Sequence, residues 1–243
     1  MKLQQLYRYT RKALEDYQMI EEGDNIAIGI SGGKDSLALL YALQGIRKFY
    51  PKKFSIEAIT VDLGFENLNL SAIKELCEQL DIRYSIVKTE IADIVFKERK
   101  ENSPCSLCAK MRKGALNSKA LELGCNKIAY AHHKDDIIET MMLSLLYEGR
   151  FHSFSPYTYL DKMKLVVIRP LMYINETDII CFQNRYQLPV VKSPCPMDGN
   201  TKRAYAKDLI YQLNLENPGV KERMFRAILN GHIQGWPEKN TSK

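Results

Sequence analysis

The run SGGKDS near the N-terminus has the residue types of a phosphate-binding loop, in the order Ser31, Gly32, Gly33, Lys34, Asp35 and Ser36. It follows an isoleucine-rich run at residues 25–30, typical of a buried strand, and precedes an apolar stretch that predicts a helix. A helix N-terminus placed after a strand presents free N–H groups and a positive dipole to an anion. Glycine also lets the backbone approach a phosphate closely. The spacing differs from that of the Walker loop, and we predict that this loop binds the phosphates of ATP.

Carboxylates and histidines follow two other predicted strands. Asp62 closes one of them, and His132, His133, Asp135 and Asp136 follow another. The carboxyl ends of parallel strands form the edge at which open α/β folds bind ligands. The adjacent aspartates could hold a Mg²⁺ ion that bridges the phosphates, and we predict functional roles for Asp136 and His133 in particular. A turn carboxylate is an equally good interpretation of Asp62, and helix capping stays an alternative for the aspartates.

Three of the six cysteines have surroundings that suit chemistry. Cys105 and Cys108 form a C-x-x-C pair after Pro104, at the predicted start of a helix, where the pKa of a thiol is lowered. Such a pair alone fits half a zinc site, a redox pair or part of an iron–sulfur site. Cys195, between two prolines, is the other cysteine predicted to lie in a loop. We interpret the remaining cysteines as small core residues: Cys77, Cys125 and Cys181.

The elements that must position these residues alternate along the chain. Apolar patterns predict helices at 3–19, 36–47, 70–80, 107–123 and 135–147, and strands at 25–30, 54–61, 82–88, 127–131 and 165–168. This alternation predicts a parallel sheet flanked by helices. Residues 97–104, 149–162 and 188–199 are predicted to be loops. We expect an α/β core at 1–172 that includes the N-terminal helix, and a helical C-terminal extension at 173–243 that carries Cys195.

Length and composition narrow the class of protein. The 243 residues are 45% hydrophobic and 26% charged, which is ordinary for a globular protein with its own core. A net charge of +6 weakly favours an acidic partner such as RNA, although solvated basic faces explain it equally well. We see no signal peptide and no membrane span in the sequence. These features predict a cytoplasmic protein with reduced cysteines.

The loop SGGKDS closely resembles that of the PP-loop ATP pyrophosphatase superfamily. The resemblance implies an adenine nucleotide alpha hydrolase-like fold and cleavage of ATP to AMP and pyrophosphate, which adenylates a substrate oxygen. It also implies that the Asp62 strand end lies near the adenosine. Lys34, Asp35, Asp136 and His133 would then be the catalytic residues, acting with Mg²⁺.

Four further segments look like the tRNA 2-thiocytidine synthetase family: PCSLCAKMRKGAL, AHHKDDIIETMMLSL, IRPLMYINETDI and the later Pro194-Cys195. The similarity extends from about residue 25 to residue 203. It implies a 4Fe–4S cluster held by Cys105, Cys108 and Cys195, with the fourth iron open to carry sulfide. It further implies that Arg169, in the family's RPL element, reaches the active site. One departure is Asp198, where members of the family often have a second late cysteine.

The resemblance predicts an ATP-dependent and iron–sulfur-dependent tRNA sulfurtransferase that replaces the C2 oxygen of an anticodon-loop cytidine with sulfur. The implied partners are tRNA and a sulfur donor, either a cysteine desulfurase or sulfide, and a homodimer is possible. Five basic residues near the cysteines suit RNA phosphates: Lys110, Arg112, Lys113, Lys202 and Arg203. A solvated helix face explains Lys110 and Lys113 equally well. The alternatives are a lysidine-synthetase-like tRNA ligase, thiolation of a uridine or of a non-tRNA substrate, and a non-catalytic regulator.

Overall fold

The computed structural model describes residues 1–66, 68–99, 104–192, 194–197, 202–231, 233 and 235–239. The α-helices are α1 Leu3–Asp16, α2 Lys34–Ile46, α3 Ser71–Gln79, α4 Ile91–Asp93, α5 Pro104–Glu122, α6 Lys134–Leu143, α7 Glu176–Tyr186, α8 Lys202–Glu216 and α9 Val220–Asn230. The strands are β1 Asp24–Gly29, β2 Phe54–Asp62, β3 Arg83–Lys88, β4 Lys127–Ala129, β5 Tyr157–Leu160 and β6 Leu165–Ile168.

The strands form one sheet in the order β3-β2-β1-β4-β6-β5. All neighbouring pairs are parallel except β5 with β6, which form an antiparallel pair at one edge. The predicted parallel sheet flanked by helices is therefore confirmed. The prediction of a loop throughout 149–162 is wrong at β5, because an edge strand of four residues gives too short an alternation to stand out from a loop.

Helix boundaries depart from prediction where the backbone leaves the α conformation. Helix α1 ends at Asp16, three residues early, and Gln18 has a positive φ of 45°. Helix α6 ends at Leu143 and continues as a π-helical turn at Ser144–Glu148, which stops at Gly149. A second π-helical turn at Ile94–Glu98 occupies the start of the predicted loop 97–104, of which residues 100–103 lie outside the described ranges.

Buried apolar side chains fill both faces of the sheet, and alternate residues of β1 point to opposite faces. Ile26 and Ile28 join the larger cluster, which most of the helices cover, whereas Ala27 joins a smaller cluster under α5. Cys77 and Cys125 are buried, as predicted. The prediction for Cys181 is wrong, because α7 turns Ile179 and Phe182 toward the core and leaves Cys181 exposed.

The C-terminal helices pack back onto the α/β elements. Helix α7 lies against α2, and α8 and α9 both lie against α6. The predicted boundary at residue 172 stays a prediction. The described residues of the predicted loop at 188–199 contain no helix or strand, while Ser193, Asp198 and Gly199 lie outside the described ranges. Within those ranges, no helix has the length and apolar character needed to cross a membrane.

Candidate functional site: a nucleotide cavity with cysteines at its rim

A cavity of about 300 Å³ opens at the carboxyl ends of β1, β2 and β4. Its lining comes from the loop after β1, the end of β2, helix α5, the turn between β4 and α6, and the segment after α7. The polar and charged residues of this lining are Ser31, Asp35, Ser36, Thr60, Arg112, Tyr130, His132, Asp136 and Lys192. The cavity thus collects groups that are far apart in the sequence.

The predicted phosphate loop is closed by its own serines. The Ser36 hydroxyl donates to the Gly33 carbonyl at 2.9 Å, and the Ser31 hydroxyl accepts from the Gly33 N–H at 3.3 Å. Gly32 has a φ of +83°, and a Cβ there would lie 3.1 Å from the Val191 Cβ. The Val191 N–H also donates to the Gly32 carbonyl at 3.0 Å. The loop therefore requires glycine at position 32 and is joined to the segment that leads to Cys195.

Lys34 is held by carboxylates. Its ammonium lies 3.2 Å from both Asp35 and Glu176, and Lys207 lies 2.6 Å from the other oxygen of Glu176. Burial of the Glu176 carboxylate opposes ionisation, but its ion pairs with Lys207 and Lys34 prevail and lower its pKa to about 2. Neither Glu176 nor Lys207 was singled out from the sequence. Glu176 could have been found from its position at the start of α7, because that helix begins at the same edge of the sheet.

His133 and the two predicted catalytic aspartates lie together. The His133 Nε2 atom is 3.7 Å from Asp35 and 3.4 Å from Asp136. The His133 backbone N–H donates to Asp136, which caps α6. Burial raises the pKa of the Asp35 carboxyl, while His133 and Lys34 lower it in part. Asp135 has a different role, because its carboxylate accepts the Glu176 N–H at 2.7 Å and pairs with Lys221.

Arg203 contacts the side of the cavity formed by Asp35 and Asp136, which we call its acidic side. Its guanidinium lies 2.9 Å from Asp136 and 3.3 Å from Glu139. Burial raises the pKa of Glu139 to about 7, and the neighbouring Asp136 adds to that rise. Arg203 was predicted to bind RNA phosphates, but its guanidinium pairs with these carboxylates and also donates to the Thr140 hydroxyl at 3.2 Å. It thereby fixes the orientation of Asp136.

His132 and Arg169 form another part of the wall. The Arg169 Nε–H donates to His132 Nδ1 at 3.1 Å, and the His132 ring stacks on Phe154 with centroids 4.1 Å apart. Burial, followed by the charge of Arg169, holds the pKa of His132 well below its usual value. Burial also lowers the pKa of Arg169 to about 10. Arg169 reaches the cavity through His132, which lines it.

Asp62 stands at the end of β2, as predicted, but its carboxylate accepts the Gly64 N–H at 3.0 Å. Its neighbours Thr60, Val61 and Leu63 line the cavity, while Asp62 does not. This geometry agrees with the turn-carboxylate interpretation. A contact between Asp62 and adenosine stays a prediction.

None of the three predicted cluster cysteines lines the cavity, but two of them adjoin its lining, because Arg112 lies one helical turn after Cys108 and Pro194 directly precedes Cys195. We call Cys105, Cys108 and Cys195 the rim. Cys105 is exposed in the first turn of α5, whereas Cys108 and Cys195 are half-buried. Burial raises the pKa of Cys108, and the nearby Cys195 and Cys105 add to the rise while Arg112 opposes it. The lowered pKa expected at the helix start is therefore wrong for Cys108, since burial outweighs the dipole.

The donor set suits an iron–sulfur cluster, because three thiols from two segments converge on one rim. Pro194, directly before Cys195, lines the same cavity as the phosphate loop. Within the described ranges, no group of three or more His, Cys, Asp or Glu side chains is arranged so that it could hold a metal ion. Ligation of a cluster by Cys105, Cys108 and Cys195 stays a prediction.

The other basic residues near the cysteines differ in position. Lys110 and Lys113 are exposed on α5, and Lys202 is exposed with its ammonium 4.5 Å from the centroid of the Tyr147 ring. Arg112 lies on the face of α5 that lines the cavity. Arg112 is exposed as well, and binding of RNA phosphates by these residues stays a prediction.

Comparisons with known proteins agree with this geometry. A family described as PP-loop domain matches residues 3–213. The tRNA-cytidine(32) 2-sulfurtransferase of Geobacter sulfurreducens is 36% identical over 226 residues, covering 92% of this chain and 87% of that protein. The enzyme of the same name from Pelobacter propionicus is 38% identical, covering 91% of this chain and 83% of its own length.

A solved structure is similar over nearly the whole chain. It is the U34-tRNA thiolase NcsA from Methanococcus maripaludis with its [4Fe-4S] cluster, at 26% identity and a TM-score of 0.78, covering 99% of this chain and 85% of that chain. The residues 3–213 that match the PP-loop domain include the phosphate loop, the turn after β4, the C-x-x-C pair and Cys195. This chain belongs to the tRNA-cytidine(32) 2-sulfurtransferase family of PP-loop proteins.

Proposed function

We propose that this protein uses ATP to activate C2 of a cytidine in the tRNA anticodon loop and replaces the C2 oxygen with sulfur. One observation carries the proposal: a single cavity is lined by the phosphate loop and by residues next to the predicted cluster cysteines. Ser31 and Ser36 represent the loop, and Arg112 and Pro194 represent the surroundings of the cysteines. Activation and sulfur delivery can therefore act on one bound base.

The phosphate loop would hold ATP by its backbone N–H groups and serine hydroxyls, at the start of α2. Asp35 and Asp136 would hold a Mg²⁺ ion, because Mg²⁺ is usually bound by one or two carboxylates plus substrate phosphates. The oxygen Oδ1 of Asp35 is buried and has no hydrogen-bond partner among the described residues, which suits a cation as its partner. Arg203 and the His133 N–H would keep Asp136 in place.

In the proposed reaction, the C2 oxygen of cytosine attacks the α-phosphorus and the bond to pyrophosphate breaks. Sulfide then attacks C2 with its own electron pair, and AMP leaves with the electron pair of the C2–O bond. Lys34 would act through the charge of the loop, since its ammonium is already paired with Asp35 and Glu176.

Cys105, Cys108 and Cys195 would hold the 4Fe–4S cluster, which supplies sulfur to C2 when bound. We expect a cysteine desulfurase or free sulfide as the donor, a cytoplasmic location and a possible homodimer. The target base must leave its stack to enter the cavity, which an anticodon-loop nucleotide does at lower cost than a paired one.

Mass spectrometry of tRNA nucleosides tests the proposal. Cells that lack the gene should lose 2-thiocytidine, and the anaerobically purified protein should restore it with ATP, tRNA and sulfide. Normal levels of 2-thiocytidine in those cells would overturn the proposal. Because the structural relative from Methanococcus maripaludis is described as a U34-tRNA thiolase, uridine is the second candidate. Loss of a thiouridine from the same samples would identify it.

A further inference from the structure

One face of helix α5 carries both a predicted cluster cysteine and residues that line the cavity. Cys108, Arg112 and Leu116 are spaced four residues apart, so they lie along the same side of the helix. Arg112 and Leu116 both line the cavity, and the Leu116 side chain lies against Gly29 at the end of β1. At 1.5 Å per residue, Cys108 and Leu116 are about 12 Å apart along the axis, with Arg112 midway.

Lys34, the cation expected to bind the phosphates of the nucleotide, is already paired with carboxylates. The Lys34 ammonium contacts Asp35 and Glu176 at 3.2 Å, and Lys34 does not line the cavity. Arg112 does line it, and no carboxylate of the described residues forms an ion pair with Arg112. Lys192 is the other lining lysine, on the segment joined to Gly32. Arg112 is thus a lining cation without a carboxylate partner among the described residues, on the same helix as Cys105 and Cys108.

The departing AMP needs a positive charge at this place. When the C2–O bond breaks, its electron pair goes to an oxygen of the α-phosphate, and negative charge grows there. Preorganised positive charge aimed at such an oxygen stabilises it in the transition state. A guanidinium can also bind two phosphate oxygens at once.

We propose that Arg112 is a catalytic residue whose guanidinium binds the α-phosphate of the nucleotide and neutralises the charge of AMP as it leaves C2. This inference rests on the proposed thiolation and assigns its leaving-group step to one side chain. All three basic residues of this part of α5 are exposed, but Arg112 lines the cavity whereas Lys110 and Lys113 do not. The influence of Arg112 on the pKa values of Cys108, Tyr130 and His132 agrees with a position between the thiols and the wall formed by β4 and its turn.

The test compares Arg112→Gln with Lys113→Gln, which removes a positive charge from the next residue of the helix. Affinities for AMP, adenosine and tRNA are measured on the cluster-loaded proteins by calorimetry, with iron content and melting temperature as checks of folding. Arg112→Gln should weaken AMP binding by about tenfold or more, in the range of a lost charge-assisted hydrogen bond, while adenosine binding stays unchanged. Arg112→Lys should recover part of the loss, and Lys113→Gln should leave AMP affinity unchanged.

Three results would overturn the inference: equal losses for AMP and adenosine, equal AMP affinities in Arg112→Gln and Lys113→Gln, or a tRNA affinity that falls more than the AMP affinity. The last result would make Arg112 a contact for RNA phosphates. A wild-type protein that does not thiolate tRNA but needs Arg112 for AMP would overturn the proposed function alone. Normal thiolation with AMP binding independent of Arg112 would overturn this inference alone.

Discussion

The acidic side of the cavity and its cysteine rim are held in different ways. Asp136 is fixed by Arg203 and by the His133 N–H, and Lys34 by two carboxylates, one of which also pairs with Lys207. At the rim, Cys105 is exposed and Cys108 and Cys195 are half-buried. The acidic side is therefore organised by ion pairs within the chain, whereas the rim consists of the thiols that we propose as ligands of a cluster. Substitutions at the two places should have different signatures.

The largest effect is expected at the rim, from Cys108→Ser. Loss of a ligand thiol should lower thiolation by more than about 100-fold, beyond the range that outer-shell substitutions cause, with little change in melting temperature. The measurements are iron content, 2-thiocytidine formation and thermal unfolding. Cys181→Ser, at the exposed cysteine of α7, is the control and should behave as wild type. A Cys108→Ser protein that keeps its iron would contradict the ligand assignment.

The next largest effect is expected at the phosphate loop, from Gly32→Ala. A positive φ costs an alanine about 1–2 kcal/mol, and the new Cβ would also press on Val191 at 3.1 Å. We expect a lower free energy of unfolding and an ATP affinity reduced by at least about tenfold. Gly124→Ala is the matched control, because Gly124 has a φ of +71° with no atom within 4 Å of the added Cβ. Equal ATP affinities in the two variants would show that the contact with Val191 does not matter.

A smaller effect should follow Lys207→Met, which removes one partner of Glu176. The pKa of Glu176 is lowered to about 2 from an ordinary 4.5, so its ion pairs stabilise the fold above pH 4.5 and lose that contribution as the pH falls through 2. The variant should lose about 0.5 kcal/mol at pH 7, because Lys207 is half exposed, and less at pH 3. Urea unfolding at both pH values measures this. A loss that does not shrink in acid would argue against the ion pair as its cause.

The smallest effect concerns Glu139. Its pKa of about 7 lies above the ordinary 4.5, so the folded state retains a proton that the unfolded chain releases, and stability falls as the pH rises between these values. Glu139→Gln removes this titration. The melting temperature of the variant should therefore improve relative to wild type as the pH rises from 5.5 to 8.5, by a few degrees at most. A constant difference across that range would mean that Glu139 does not titrate there.

Local patterns were enough to predict much of this site. The loop at Ser31–Ser36, the aspartates after β4 and the C-x-x-C pair each combine a strand end or helix start with particular residue types, and each lies where such a local signal places it. The parallel sheet followed from alternation in the same way. These features depend on neighbours within a few residues.

The remaining features depend on contacts between distant segments. Arg203 resembled any basic residue in a loop or on a solvated helix face until α8 was seen to lie against α6. Lys207 and Glu176 meet Lys34 only because α7 and α8 return to the edge of the sheet. Arg112 differs from Lys110 and Lys113 only in which face of α5 it occupies. Rotation of a helix about its axis follows from packing, which the residue types alone did not reveal.

The hydrogen bond from the Val191 N–H to the Gly32 carbonyl has a consequence for synthesis of the chain. The two residues are about 160 positions apart, so this part of the ATP site belongs to the slow, long-range class of contacts. On the ribosome, the loop emerges long before the amide that completes it. The nucleotide site of a nascent chain is thus complete only after the segment that contains Cys195 has also been synthesised. The two halves of the active site therefore form at the same stage of synthesis.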